Sequence, residues 1–142
     1  MSKEFTEKEL RKILFAIATH PDRSAAARSI GMTIDISTEV QLFNQLQVTT
    51  WAECVVKVWK MKLLEAHPLA RQLRDVTIYP LTVLRLIAEG ATIKQMVAKT
   101  GKSTGWIDGQ VVSLKNSFAL DGKIPTRHHM LVYAALSCGI EL

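Results

Sequence analysis

The chain has 142 residues, 48% apolar and 22% charged, with a formal net charge of +5. This balance excludes a disordered polyelectrolyte and leaves room for one ordinary domain or two very small ones. No apolar run approaches the ~20 residues that span a bilayer, and Met1-Ser2-Lys3-Glu4 leads into no signal-peptide core, so a cytoplasmic protein without membrane contact is expected.

In chain order, Thr6-Glu7-Lys8-Glu9 fits a capping box, in which the Thr hydroxyl accepts the orphan amide three residues on and the Glu reaches back. Leu10, Ile13, Leu14 and Ile17 follow at helical spacing. A short helix over 24–30 ends at Gly31, and the next helix carries Asp35 and Glu39. Thr50-Trp51-Ala52-Glu53 is a second capping box, followed by Val55, Val58, Trp59 and Leu63. Trp51 and Trp59 read as core. Pro68 is expected to stop this helix, and a polar stretch runs on to Asp75. Val83, Leu84, Ile87 and Ala88 mark the next helix; Thr92-Ile93-Lys94-Gln95 caps another, over 92–100. After Gly101, a long helix is expected over 103–118, with Ile107, Val111, Leu114 and Phe118 on its apolar stripe. A last helix contains Leu131 to Leu136. Strand signals are nearly absent, and Asp121-Gly122 follows a helical pattern instead of joining two alternating runs.

The order of pieces repeats. Ile13-Leu14 corresponds to Val83-Leu84 and Gly31 to Gly101, both offset by 70 residues, and Thr50 corresponds to Thr126. The expectation is an all-α fold of two tandem four-helix helix-turn-helix units, over 4–66 and 76–142, joined by a linker over 67–75. Gly101 supplies the positive φ that a sharp turn needs, and Ser103 caps the helix after it. That arrangement presents a second, recognition helix to the major groove, although the same corner also occurs in proteins that touch no DNA.

The stretch from Val83-Leu84-Arg85-Leu86-Ile87-Ala88 through Thr92-Ile93-Lys94-Gln95 to Thr100-Gly101-Lys102-Ser103 resembles the start of the LuxR/GerE-type DNA-binding domain. Leu131-Val132-Tyr133-Ala134-Ala135-Leu136 with Gly139-Ile140 is similar to its closing helix. Phe5-Thr6-Glu7-Lys8-Glu9-Leu10 and Asn44-Gln45-Leu46-Gln47-Val48-Thr49-Thr50 resemble the same family more faintly. The resemblance implies four-helix units whose third helix reads DNA and whose fourth often pairs subunits. The sequence departs from the family at Trp106-Ile107-Asp108 and Gln110, where Thr-Val-Lys and then His are usual. No Lys or Arg lies between Lys102 and Lys115, and none between Arg28 and Lys57. Because phosphate neutralisation dominates DNA affinity, the first unit is expected to be a poor DNA reader.

Residues 1–70 hold nine Lys/Arg and eight Asp/Glu, a net of +1, whereas residues 71–142 hold nine and five, a net of +4. The second half is therefore the better candidate for double-stranded DNA. Lys94, Lys99, Lys102, Lys115 and Arg127 are candidate phosphate contacts, with Ser103 and Thr104 at the helix start; Arg71, Arg74, Lys123 and His128 are further basic candidates. A scatter of charge is also what any solvated face shows. Trp106, between Gly105 and Gly109, reads either as an anchor for a protein partner or as a cover on the core, since each helix-interior Gly costs ~1 kcal/mol. Trp106, Asp108 and Gln110 are the candidate partner contacts. The alternative to a DNA reader is thus an antiactivator or partner of a LuxR-type regulator or of RNA polymerase, and a homodimer is a further possibility. No phosphate-cradling Gly loop, Cys/His metal spacing or nucleophile–base arrangement is visible, so neither catalysis nor a metal or cofactor is expected. Cys54 and Cys138 are too few for a disulfide framework and read as buried apolar residues.

Overall fold

The computed structural model describes residues 4–64, 67 and 69–142. The fold is mostly helical, with eight helices among the described residues: α1 (Glu7–Thr19), α2 (Arg23–Ile30), α3 (Ile36–Leu46), α4 (Trp51–Lys60), α5 (Ile78–Ala88), α6 (Ile93–Thr100), α7 (Thr104–Lys115) and α8 (His128–Ser137). No helix among those residues is long and apolar enough to cross a membrane.

Side-chain caps mark the starts of every described helix except α5 and α8. Thr6–Glu9 and Thr92–Gln95 form full reciprocal boxes, and so do Asp35 and Thr38 ahead of α3. At α4 only half of the expected box forms. Thr50 accepts from the Glu53 amide, while the Glu53 carboxylate accepts from the Thr49 amide and from both Thr hydroxyls. Gly31 and Gly101, with φ of +64° and +70°, end α2 and α6.

The apolar stripes meet in one continuous core. Leu10, Ile13, Leu14 and Ile17 of α1, Val55 and Val58 of α4, Val83, Leu84 and Ile87 of α5, and Ile107, Val111 and Leu114 of α7 are all buried in it. Helix α8 sits at the centre. It packs on α1, α4 and α5, and every residue from Met130 to Leu136 is buried. A helix that is apolar all round has no face to give to water. The last helices of the two halves, α4 and α8, therefore pack on each other, and α8 keeps no free face for a second copy.

Five local expectations need correction. Helix α4 stops at Lys60, where Lys62 turns left-handed at φ +61° and the Leu63 amide bonds back to the Val58 carbonyl, so Leu63 lies beyond the helix. The Pro68 stop falls outside the described residues, as do Glu65 and Ala66. Helix α7 ends at Lys115 rather than 118, because Phe118–Leu120 is a short strand, β2, antiparallel to β1 (Ala70–Gln72). All three β2 residues are buried, so no alternation distinguishes them from a helical stripe. Asp121-Gly122 is a tight turn, with φ of +51° and +74°, closed by reciprocal bonds between Leu120 and Lys123. Two positive φ values in succession belong to a type I′ turn, whose favoured residues include Asp-Gly. Within the stretch expected as a linker, β1 pairs with β2 and His67 is buried, its amide donating to Ser137 Oγ at 3.1 Å. Cys54 is fully buried, but Cys138 only partly.

Candidate nucleic-acid interface

Helices α6 and α7 are joined by the left-handed Gly101 and held from below. Met96 of α6 and Ile107 and Leu114 of α7 are completely buried, and α7 packs on both α5 and α6. The turn is locked by a chain of hydrogen bonds. Thr100 Oγ1 donates to the Met96 carbonyl at 2.7 Å and accepts from the Lys102 amide at 3.2 Å, while Ser103 Oγ accepts from the Trp106 amide at 3.1 Å. Ser103 is thus spent as the cap of α7, with its hydroxyl proton left over.

The burial pattern divides α7 into an inner stripe and a clear outer face. Thr104, Gly105, Asp108, Gly109 and Val112 are exposed at spacings of one helical turn, with Val112 56% exposed. Among the described residues, a Cβ added at Gly109 would meet no atom within 4 Å, and one at Gly105 would meet only Ser103 Oγ at 3.9 Å. Internal packing requires neither glycine. Asp108 makes no hydrogen bond or ion pair among the described residues.

Of the expected basic contacts, Lys94, Lys99 and Lys102 are exposed around the starts of α6 and α7. Lys99 lies 3.8 Å from Glu89 with both side chains over 60% exposed, a pairing that water weakens and phosphate can replace. Lys102 Nζ stands 5.7 Å from the centre of the Trp106 ring. Lys115 is half-buried at the far end of α7. Its charge, added to the larger effect of desolvation, lowers the pKa of His128. Arg127 is directed elsewhere: its Nε donates to the Pro21 carbonyl at 3.1 Å, across to the α1–α2 turn.

Trp106, Asp108 and Gln110 do not share a face. Trp106 and Gln110 lie half-buried on one flank of α7, and Asp108 stands on the outer face. On that flank Trp106 meets Tyr79 edge-on, at 5.8 Å between ring centres and 73° between planes. Tyr79 and its neighbour Ile78 are 61% and 73% exposed. Sequence reasoning missed both residues and also Val112. The available signal was two large apolar residues just ahead of Pro80, at a helix start that buries only the proline.

The two adjacent histidines diverge. His129 points inward, its Nε2 bonded to the Ile17 carbonyl at 2.9 Å, and burial pushes its pKa down to about 4; His128 faces outward. No group of three His, Cys, Asp or Glu side chains suited to a metal occurs among the described residues. A cleft of about 460 Å³ lies between the α1–α2 turn and the starts of α4 and α8, lined by Trp51, Arg23, Arg127 and His129. Its polar side chains are engaged with the protein: Arg23 with Glu39, Arg127 with Pro21 and His129 with Ile17. No protein-family model, no curated protein and no solved structure matches the chain.

Proposed function

We propose that the chain is a small DNA-binding transcriptional regulator that lays α7 in the major groove of double-stranded DNA. The observation that carries this reading is the outer face of α7, exposed at Thr104, Gly105, Asp108, Gly109 and Val112, where among the described residues only Ser103 Oγ comes within 4 Å of a Cβ placed at either glycine. A groove ~12 Å wide admits a helix ~10–12 Å across only when that helix stands clear of its own protein. Lys94, Lys99 and Lys102 at one end of the pair and Lys115 at the other are set to neutralise phosphates. The resemblance of 83–103 to the LuxR/GerE-type domain supports the same assignment.

The test is the double variant Lys99→Ala with Lys102→Ala. It should weaken binding to every duplex and lower the salt slope by about one for each phosphate no longer neutralised. Unchanged affinity and slope would refute the phosphate assignment.

A second reading, docking on a LuxR-type regulator or on RNA polymerase, is favoured by one observation. Tyr79 and Trp106, with the exposed Ile78 next to Tyr79 in the chain, make an apolar patch on the flank of α7, partly open to water, of the kind that anchors protein contacts. In this reading Trp106→Ala abolishes co-purification of the partner; survival of the complex would exclude the patch as the docking site.

A further inference from the structure

We infer that Asp108 is the base-reading residue of α7, accepting a hydrogen bond from the N4 amino group of a cytosine. This rests on α7 entering the major groove as proposed above.

Helix α7 lacks the commonest reader of guanine. Between Lys102 and Lys115 it carries no Lys or Arg, so the usual bidentate contact to guanine O6 and N7 is closed to its centre. Asp108 is the charged group on the outer face there, and an ionised carboxylate only accepts hydrogen bonds. In the major groove the exocyclic amines of cytosine and adenine are the donors. Adenine sets its N7 acceptor beside that amine, where a carboxylate is repelled; cytosine has only its C5–H there. Cytosine is therefore the base that suits Asp108.

Two further features agree. Asp108 has no partner among the described residues, unlike Asp22 and Asp35, which cap α2 and α3. Its side chain is short, so reaching a base edge requires the helix backbone to come close. Gly105 lies one turn before it and Gly109 beside it, and among the described residues no close contact requires either to be glycine. Val112, one turn further on and exposed, is an apolar partner for a thymine methyl group.

This assignment predicts a change of opposite sign in two measurements. A carboxylate in a groove flanked by phosphates is repelled by every sequence and compensated only at its cytosine. Asp108→Asn in the full chain should therefore bind random duplex DNA several-fold more tightly while losing a cytosine preference of about tenfold. The experiment is selection from a random duplex pool with the wild-type chain and with Asp108→Asn, alongside anisotropy titrations on a fixed random duplex and a thermal melt of each protein. Unaltered melting is expected, because the side chain is exposed and unbonded. A wild-type motif with one fixed cytosine that Asp108→Asn alone releases, together with a gain in random-sequence affinity, bears the inference out. A motif that the variant leaves unaltered, an adenine at that position, or no gain on random DNA overturns it while the DNA reading stands. Failure of the wild-type chain to bind any duplex at low salt overturns the DNA reading, and this inference with it.

Discussion

Gly90 offers a direct test of how the two halves meet. It closes α5 with φ at +84°, and a Cβ built there would stand 2.9 Å from Glu53 Cγ and nearer still to the carboxylate. That carboxylate cannot swing aside freely. It accepts from the Thr49 hydroxyl at 2.8 Å, the Thr50 hydroxyl at 3.1 Å and the Thr49 amide at 3.3 Å, tying down the start of α4. Gly90→Ala therefore incurs left-handed backbone strain of about 1–2 kcal/mol and loosens a cap worth about 1 kcal/mol. The expected loss is about 2–3 kcal/mol, or about 6–9 °C in Tm at about 3 °C per kcal/mol for a chain of this size. Urea unfolding followed by circular dichroism measures it. The sharper result comes from the cycle with Glu53→Ala, which alone should lose about 1 kcal/mol. In the double variant the cap is lost only once, so the pair should fall short of additivity by about 1 kcal/mol. Strict additivity would mean that Gly90 and Glu53 do not touch, and the packing of α4 against the α5–α6 turn would be refuted.

Other outcomes follow from the same packing. His129 has a folded pKa of about 4 against 6.5 for the unfolded group, so between those values the unfolded chain binds a proton that the folded chain does not. Stability is then full above about pH 6.5 and declines as the pH falls towards 4, by about 3 kcal/mol in total; His129→Gln should flatten the slope between pH 7 and 5, and an identical slope in the variant would contradict the burial of this imidazole. Cys54 is fully buried with its thiol pushed up to about 12, so a thiol reagent should leave it unmodified in the native protein and reach it on unfolding, whereas the half-buried Cys138 reacts first; mass mapping of the modified peptide decides. Leu131→Ala, at a fully buried site of α8, should lose about 2–5 kcal/mol by urea unfolding, and a loss below about 1 kcal/mol would place α8 outside the core.

The sequence carried the helices where capping and periodicity agreed. Thr6, Thr92, Gly31 and Gly101 each stand at the helix boundary their chemistry requires, and the stripes at Leu10–Ile17 and Val83–Ile87 face the core. Periodicity failed where burial is complete. Phe118 continues the 107–111–114 spacing, yet the chain has already left the helix, and three buried residues in a row give no alternation by which to recognise β2. Asp121-Gly122 is itself a hairpin signal, but with Phe118 continuing a helical spacing no alternating run precedes it in the sequence. On α7, Trp106, Asp108 and Gln110 are grouped by their departure from the LuxR/GerE-type pattern, whereas the direction in which the helix is packed separates them. The patch at Ile78 and Tyr79 leaves a local trace, two large apolar residues ahead of Pro80, but only the tertiary packing of the α5 start decides that both stay exposed. The tie between Arg127 and Pro21 spans the two halves and is invisible to a local reading.

The central claim is that α7 reads DNA, and anisotropy of the full chain against labelled duplexes over a salt series tests it most directly. A reading helix requires binding that prefers some sequences to others and weakens steeply with salt, with a log–log slope of about −3.6 if Lys94, Lys99, Lys102 and Lys115 each neutralise one phosphate. Weak binding to every duplex even at low salt, with no preference among sequences, would contradict it.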